Sequence, residues 1–392
     1  MKSSADRLYF IDAMRAWAIL MMLQGHFVVG LLSDEFKDMN NPTFYIWDYF
    51  RGVTAPVFFA VSGFIFTFLL LKKYSEGWKN HRVQAGVQRG LQLILIGHLL
   101  QLRIPGLFKG ILNDSFYIAH VLQCVGVSIL LIIGIYLFSY TKKKFVFPTL
   151  LFLTGILVFA LKPIYDHWDY AFLPELFANY FTAKHGSVFT IFPWFGYAAF
   201  GGLLSVVFSR YGSKVHFFPI IISIVFFLGF FLIFYSEAFF LQLHALTQWS
   251  FFEGIYQNNY LFARLGNVLL IFAVFMQLRS LIKHPIILKI GQNTLPIYVI
   301  HSIILYGSGT GYGLTLFFHR TLSPLEVIVG MLLFVFGTTI MALAYAKYKK
   351  RIGILGTITM ASLHKMVAKY NRTGMKRLQT YYLKVIKLFS YG

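Results

Sequence analysis

The sequence predicts an all-α protein, a polytopic membrane bundle of about ten transmembrane helices with both termini cytoplasmic. Three observations carry that expectation. The first is composition: of 392 residues, 58% are hydrophobic and 12% charged, Phe occurs 44 times, and the mean hydropathy is +0.67. Soluble domains carry about a quarter charged residues, so water is excluded as the main solvent. The second is the set of apolar runs, near 10–33, 53–72, 86–103, 118–139, 145–163, 189–208, 216–235, 260–278, 286–308 and 324–346. Each reaches or approaches the roughly 20 residues needed to cross a hydrocarbon core. The third is the charge pattern. With the N-terminus inside, the cytoplasmic set holds 27 Lys and Arg and the acids Asp6, Asp12 and Glu76, whereas the external set holds 8 Lys and Arg against 11 Asp and Glu. Basic residues concentrate on the cytoplasmic side of membrane proteins, so the asymmetry orients the chain. It also accounts for the net charge of +21 without a nucleic-acid partner.

The first run opens "DAMRAWAILMMLQGH" after a short polar stub, with no small-residue cleavage site, and reads as a span and not a signal peptide. Arg15 and His26 lie eleven positions apart, close to three helical turns, which puts them on one face about 16 Å apart along the axis. Asp12 is three positions before Arg15 and within pairing distance. The second span carries Asp48 and Arg51 at its mouth, then Pro56, Ser62 and Gly63, where small residues suit close helix contact. The third is the most polar, with Arg82 and Arg89 towards the cytoplasm and His98 deeper. The fourth opens on His120 and Gln123, three apart on one face. The sixth, "FPWFGYAAFGG", reads as interface packing. The ninth, "IGQNTLPIYVIHS", holds Asn293 and His301 at opposite ends of a helix interrupted by Pro296. Residues 1–350 read as one membrane domain. Residues 351–392 read as a basic, amphipathic cytoplasmic tail against anionic lipid, where apolar and basic residues alternate at helical spacing.

No GxSxG elbow, HExxH or P-loop occurs, and "GSGTGYG" at 307–313 follows a span, which makes it a loop. One cysteine, Cys124, excludes an internal disulfide. The scattered histidines give no metal signature. Ionisable groups at membrane depth are rare and mark sites. Arginines near the inner face suit a phosphorylated ligand, which guanidinium grips bidentately. A histidine nearer the other face suits proton abstraction from a hydroxyl or amine.

The pair Arg15–His26, an R-x10-H pattern, resembles the signature of the acyltransferase family 3 membrane proteins. The blocks "FIDAMRAWAILMMLQGH", "FRGVTAPVFFAVSGF", "HVLQCVG", "FPWFGYAAFGG" and "IGQNTLPIYVIH" are similar, in that order, to the related heparan-alpha-glucosaminide N-acetyltransferase group. The resemblance implies an acyl group, usually acetyl, carried from cytosolic acyl-CoA to a hydroxyl or amine of an extracytoplasmic glycan or glycolipid, with no permanently bound cofactor. It implies His26 and Arg15 as the first-span motif residues and His301 as the histidine ending "IYVIH". Arg82, Arg89, Asn293, His120, Gln123 and Asp12 join them as substrate-binding candidates, and the expected setting is the plasma (inner) membrane, among its lipids, with a homodimer admitted. Some relatives carry an arginine-rich pattern before the third span. Here only Arg82 and Arg89 stand there, six residues between them.

Two other classes compete. A secondary transporter also keeps lone ionisable residues near the midplane, but no repeat relates the two halves of this chain. A polyprenyl-linked glycosyltransferase would show acids in the first external loop, where Asp34, Glu35 and Asp38 stand. The charge-based orientation is tested by topology reporters fused after residues 40, 110, 175, 245 and 318. All five report an external location if the orientation is right, and two or more internal reports sink it.

Overall fold

A helix satisfies its own backbone hydrogen bonds, which a membrane-spanning chain without water requires. The computed structural model follows that rule. It describes residues 8–168 and 170–349, the side chains of 73–76 excepted. The tail expected over 351–392 lies outside the described residues. The long helices are α1 (Tyr9–Leu31), α2 (Pro42–Leu70), α3 (His81–Gln101), α4 (Val121–Ser139), α5 (Val146–Ala160), α6 (Ile191–Tyr211) and α7 (Phe217–Phe234). Then come α8 (Ser236–Thr247), α9 (Ser250–Gln257), α10 (Tyr260–Gln277), α11 (Pro285–Gln292), α12 (Thr294–Tyr306) and α13 (Pro324–Lys349). Among the described residues the only β-type pairings are the isolated bridges Leu32–Leu322 and Arg103–Gly309. The chain divides into two units, residues 1–339 and 340–392. Every side chain of the site described below belongs to the first. Of the second, residues 340–349 are described, and they are helical.

Among the described residues, seven helices are long and apolar enough to cross a membrane: α1, α2, α4, α6, α7, α10 and α13. The other three expected runs are helical but fall short of that standard for identifiable reasons. α5 has 15 residues and α12 has 13, while α3 has 21 but carries Gln, Arg and His. The ninth run is two helices, α11 and α12, broken at Asn293 (φ −112°, ψ 29°) and not at Pro296. Pro296 sits in the first turn of α12, where its missing N–H has no intrahelical role. α2 begins eleven residues before its expected span because Asn41 caps it, accepting from the Thr43 N–H at 2.9 Å, with Pro42 in the first helical position. Asp48 and Arg51 are therefore inside a helix and not at its mouth. α8 and α9 occupy a stretch read from sequence as a connection.

The bundle packs through small residues. A Cβ built on Gly201 of α6 would lie 1.8 Å from the Ala60 carbonyl oxygen of α2, and one on Gly63 would lie 2.0 Å from that of Ala198. The two backbones touch, as the packing reading of both segments expected. Lipid offers no hydrophobic drive between helices, so such contact must supply the association through dispersion. Gly291 of α11 likewise has the Asp12 carbonyl of α1 at 1.8 Å from its Cβ position. Gly201→Ala should lower stability in detergent by about 1–3 kcal/mol, the usual cost of overpacking a tight contact. Gly134→Ala in α4, where nothing lies within 4 Å, should not lower the melting temperature, since alanine is the better helix former.

Candidate functional site

A cavity of about 1060 Å³ opens within the helical bundle. Its lining takes His26 from α1, Arg51 from α2, His120 from the start of α4, Trp194 from α6, Arg264 from α10 and Tyr306 from α12. Alternation of chain direction brings these residues to one end of the bundle, although they span 280 positions. The glycine-rich loop after α12 closes the rim. Gly307, Gly309 and Gly311 adopt positive φ, and Gly309 exchanges backbone hydrogen bonds with Leu102 and Ile104 at 3.1 and 2.8 Å.

His26 makes the central contact. Its Nδ1 lies 3.1 Å from His301 Nε2, across 275 positions of sequence, with ring centroids 5.3 Å apart. His301 is 0% exposed and lies edge-on to Tyr298 at 4.8 Å. Its Nδ1 is buried and has no hydrogen-bond partner among the described residues. The 3.1 Å contact needs one ring to donate and the other to accept; with the proton of His301 on Nδ1, its Nε2 is the acceptor. His26 Nδ1–H then donates to it. The uncommitted nitrogen of His26, Nε2, carries a lone pair on a residue that lines the cavity. That is the arrangement of a general base held in one tautomer by a second group. His120 and Arg51 are within electrostatic reach of His26.

The other expected residues fall into two sets. At the opposite end of α1, Arg15 Nη2 donates to Thr294 Oγ1 at 2.9 Å, and Asp12 accepts from Gln292 Nε2 at 3.3 Å. Arg89 of α3 is within electrostatic reach of Arg15, while the backbone N–H of Arg82 donates to the α3 cap Asn80 at 2.9 Å. The cavity ends at Ala18, one turn above Arg15. The second set combines cavity wall and scaffold. Gln123 lines the cavity beside Gly97; its oxygen accepts from the backbone N–H of His120 at 3.3 Å, and its buried Nε2 has no hydrogen-bond partner among the described residues. Asn293 bonds the Lys289 carbonyl at 2.7 Å at the helix break, away from the histidine pair. His98 is a strut: Nδ1 faces the Phe116 carbonyl at 3.0 Å and Nε2 the Tyr180 hydroxyl at 2.9 Å. Burial pushes the Tyr180 hydroxyl up to about 12, so it stays protonated and donates to His98.

Sequence reading passed over Arg264, Lys162 and the aromatic lining. An arginine one turn inside an apolar helix was the signal available. Lys162 pairs with Asp166 at the rim.

An apolar helical bundle with polar side chains gathered around one internal cavity defines a multi-pass membrane protein. Residues 7–238 match the heparan-alpha-glucosaminide N-acetyltransferase catalytic family, more than half of the chain, and the chain belongs to that family. No curated protein matches it. Arg264, Thr294 and His301 follow the matched segment and are returned to it by the fold.

Proposed function

We propose that the protein is an integral membrane acyltransferase that moves an acyl group, acetyl by preference, from cytosolic acyl-CoA to a hydroxyl or amine of an extracytoplasmic glycan. In this reading ten spans cross the plasma membrane, α11 and α12 together forming the ninth, and both termini are cytoplasmic. The observation that carries it is the His26–His301 contact at the wall of the cavity, on a chain whose family is one of N-acetyltransferases.

The charge asymmetry then sets the cavity outside and the Arg15 end inside. CoA phosphates cannot cross the hydrocarbon, so they stay at the inner face, where Arg89 and Arg82 stand. The pantetheine arm threads past Arg15 towards His26. The acceptor enters the cavity from outside, where Trp194, Tyr260 and Tyr306 offer aromatic faces among a few polar groups, the usual make-up of a small-molecule site. His26 Nε2 takes the acceptor proton as the oxygen or nitrogen attacks the thioester carbon. The tetrahedral intermediate collapses with C–S cleavage, and His26 returns the proton to the departing thiolate, releasing CoA-SH. Transfer is direct. His301 is a positioning residue, since its Nε2 is committed to His26, and Arg51, within electrostatic reach of His26, stabilises the developing oxyanion.

His26→Ala should cost about 10²–10⁴ in kcat with acyl-CoA binding intact, the range for losing a general base. His301→Leu should lower kcat while sparing the acyl-CoA KM, and His301→Gln should recover much of the loss, because its amide oxygen still accepts from His26 Nδ1–H. Equal loss in both His301 variants, with folded protein, would remove the tautomer assignment. Near-normal transfer by His26→Ala would remove the base itself. At the inner face, Arg89→Ala should raise the acyl-CoA KM about tenfold with little change in kcat, as loss of one charge-assisted phosphate contact does. An unchanged acyl-CoA affinity would reduce Arg89 to a topological anchor.

A further inference from the structure

Five Lys or Arg side chains line the cavity; Arg103 and Lys184 stand exposed at its edge, and of the three on helices, two are already neutralised. Arg51 binds Asp48 through Nη2 at 2.7 Å and Nε at 2.8 Å, and Lys162 binds Asp166. The third, Arg264, has no carboxylate partner and no hydrogen bond among the described residues. Its neighbours are the phenols of Tyr197 and Tyr260. An unpaired guanidinium on a membrane-spanning helix is costly, and such residues face a cavity, pair with an anion, or mark a ligand path.

Its seat is built for it. A Cβ on Gly52 would lie 2.2 Å from Arg264 Nη1 and 2.8 Å from Cζ, so a larger residue there would push the flexible guanidinium off its place against α2. The approach of α10 to α2 is pinned by Tyr49, whose hydroxyl donates to Asn267 Oδ1 at 2.8 Å, one turn along from Arg264. The seat is also linked to the histidine pair. Arg51 Cγ packs 3.0 Å from the Cβ position of Gly25, the residue before His26, and Gly52 follows Arg51. Two glycine contacts in series, Gly25 to Arg51 and Gly52 to Arg264, thus connect the seat of the open cation to the segment of α1 that carries His26, and both residues line the same cavity.

We propose that Arg264, seated over Gly52, binds an anionic group on the acceptor, a sulfate, phosphate or carboxylate near the acylated position, and so selects the acceptor. This rests on the acyltransferase reading above. Arg264 is at the His26 end of the bundle, whereas the arginines assigned to CoA phosphates are at the Arg15 end, so donor and acceptor anions have separate cations. A guanidinium fork binds such oxyanions bidentately, and in a recess of the bundle the contact is screened less than at an open surface.

The test is equilibrium binding to protein in phosphatidylcholine nanodiscs, with glucose, glucuronate and glucose 6-sulfate as probes and acetyl-CoA measured on the same preparations. Wild type should bind at least one of the two anionic sugars about tenfold more tightly than glucose, the scale of one charge-assisted hydrogen bond. Arg264→Gln should erase that preference and leave acetyl-CoA affinity unchanged. Gly52→Ala, which displaces the guanidinium without removing the charge, should weaken it, and Arg264→Lys should keep part of it in a protein that folds as wild type does. Equal binding of all three sugars by wild type overturns the proposal, as does a preference that survives Arg264→Gln. A loss of acetyl-CoA affinity in Arg264→Gln would assign the cation to the donor and also overturn it. Adding phosphatidylglycerol to the discs should not change the preference; if it abolishes it, the site belongs to a lipid headgroup and the proposal falls. Should wild type fail to bind acetyl-CoA while still preferring the anionic sugars, the acyltransferase reading fails and the anion site at Arg264 stands.

Discussion

Hydrocarbon offers no hydrogen bonds, so a polar group inside the bundle is costly unless it finds a partner in the protein or stands at a cavity. The arrangement of helices follows from that constraint. α1 and α12 are joined at two levels, by Arg15 on Thr294 and by His26 on His301. Neither helix could keep these side chains facing lipid. The contact of α2 with α6 is the apolar counterpart, where Gly63 and Gly201 let two backbones meet and dispersion does what water would do elsewhere.

The same constraint separates scaffold from site. His98 has both ring nitrogens engaged, one on the Phe116 carbonyl and one on the Tyr180 hydroxyl, and it braces α3 against the loop before α6. Lys162 and Arg51 carry their own counter-ions. Satisfied groups such as these hold position. His26 is different because its partner uses only one of its nitrogens, and Arg264 because it has no counter-ion among the described residues. Free valence inside a low-dielectric bundle is expensive, and both instances occur on the wall of one cavity.

Much of this was legible in the residue order. The helical class, the placing of seven long apolar helices and the family resemblance follow from hydropathy and from blocks of a dozen residues, because a spanning helix is a local object whose length the bilayer sets. The face shared by Arg15 and His26 was readable from helical geometry. The early start of α2 was missed although its signal, Asn41 followed by Pro42, was present. The break at Asn293 was misplaced because Pro296 is the more conspicuous residue, yet a proline in the first turn breaks nothing.

What the sequence by itself determined is the solvent, the secondary structure and the list of polar residues that the membrane makes conspicuous, since each depends on neighbours within one helix. Which of those residues meet was decided only by the tertiary structure. His26 and His301 stand 275 positions apart, Gly52 and Arg264 more than two hundred, and Asn293 is nearer to His301 in sequence than either partner yet faces elsewhere. Pairing of that kind depends on which helices pack side by side and on their rotation about their own axes. Those are settled by close contact of small residues along whole helices, a property that no single segment of the chain carries.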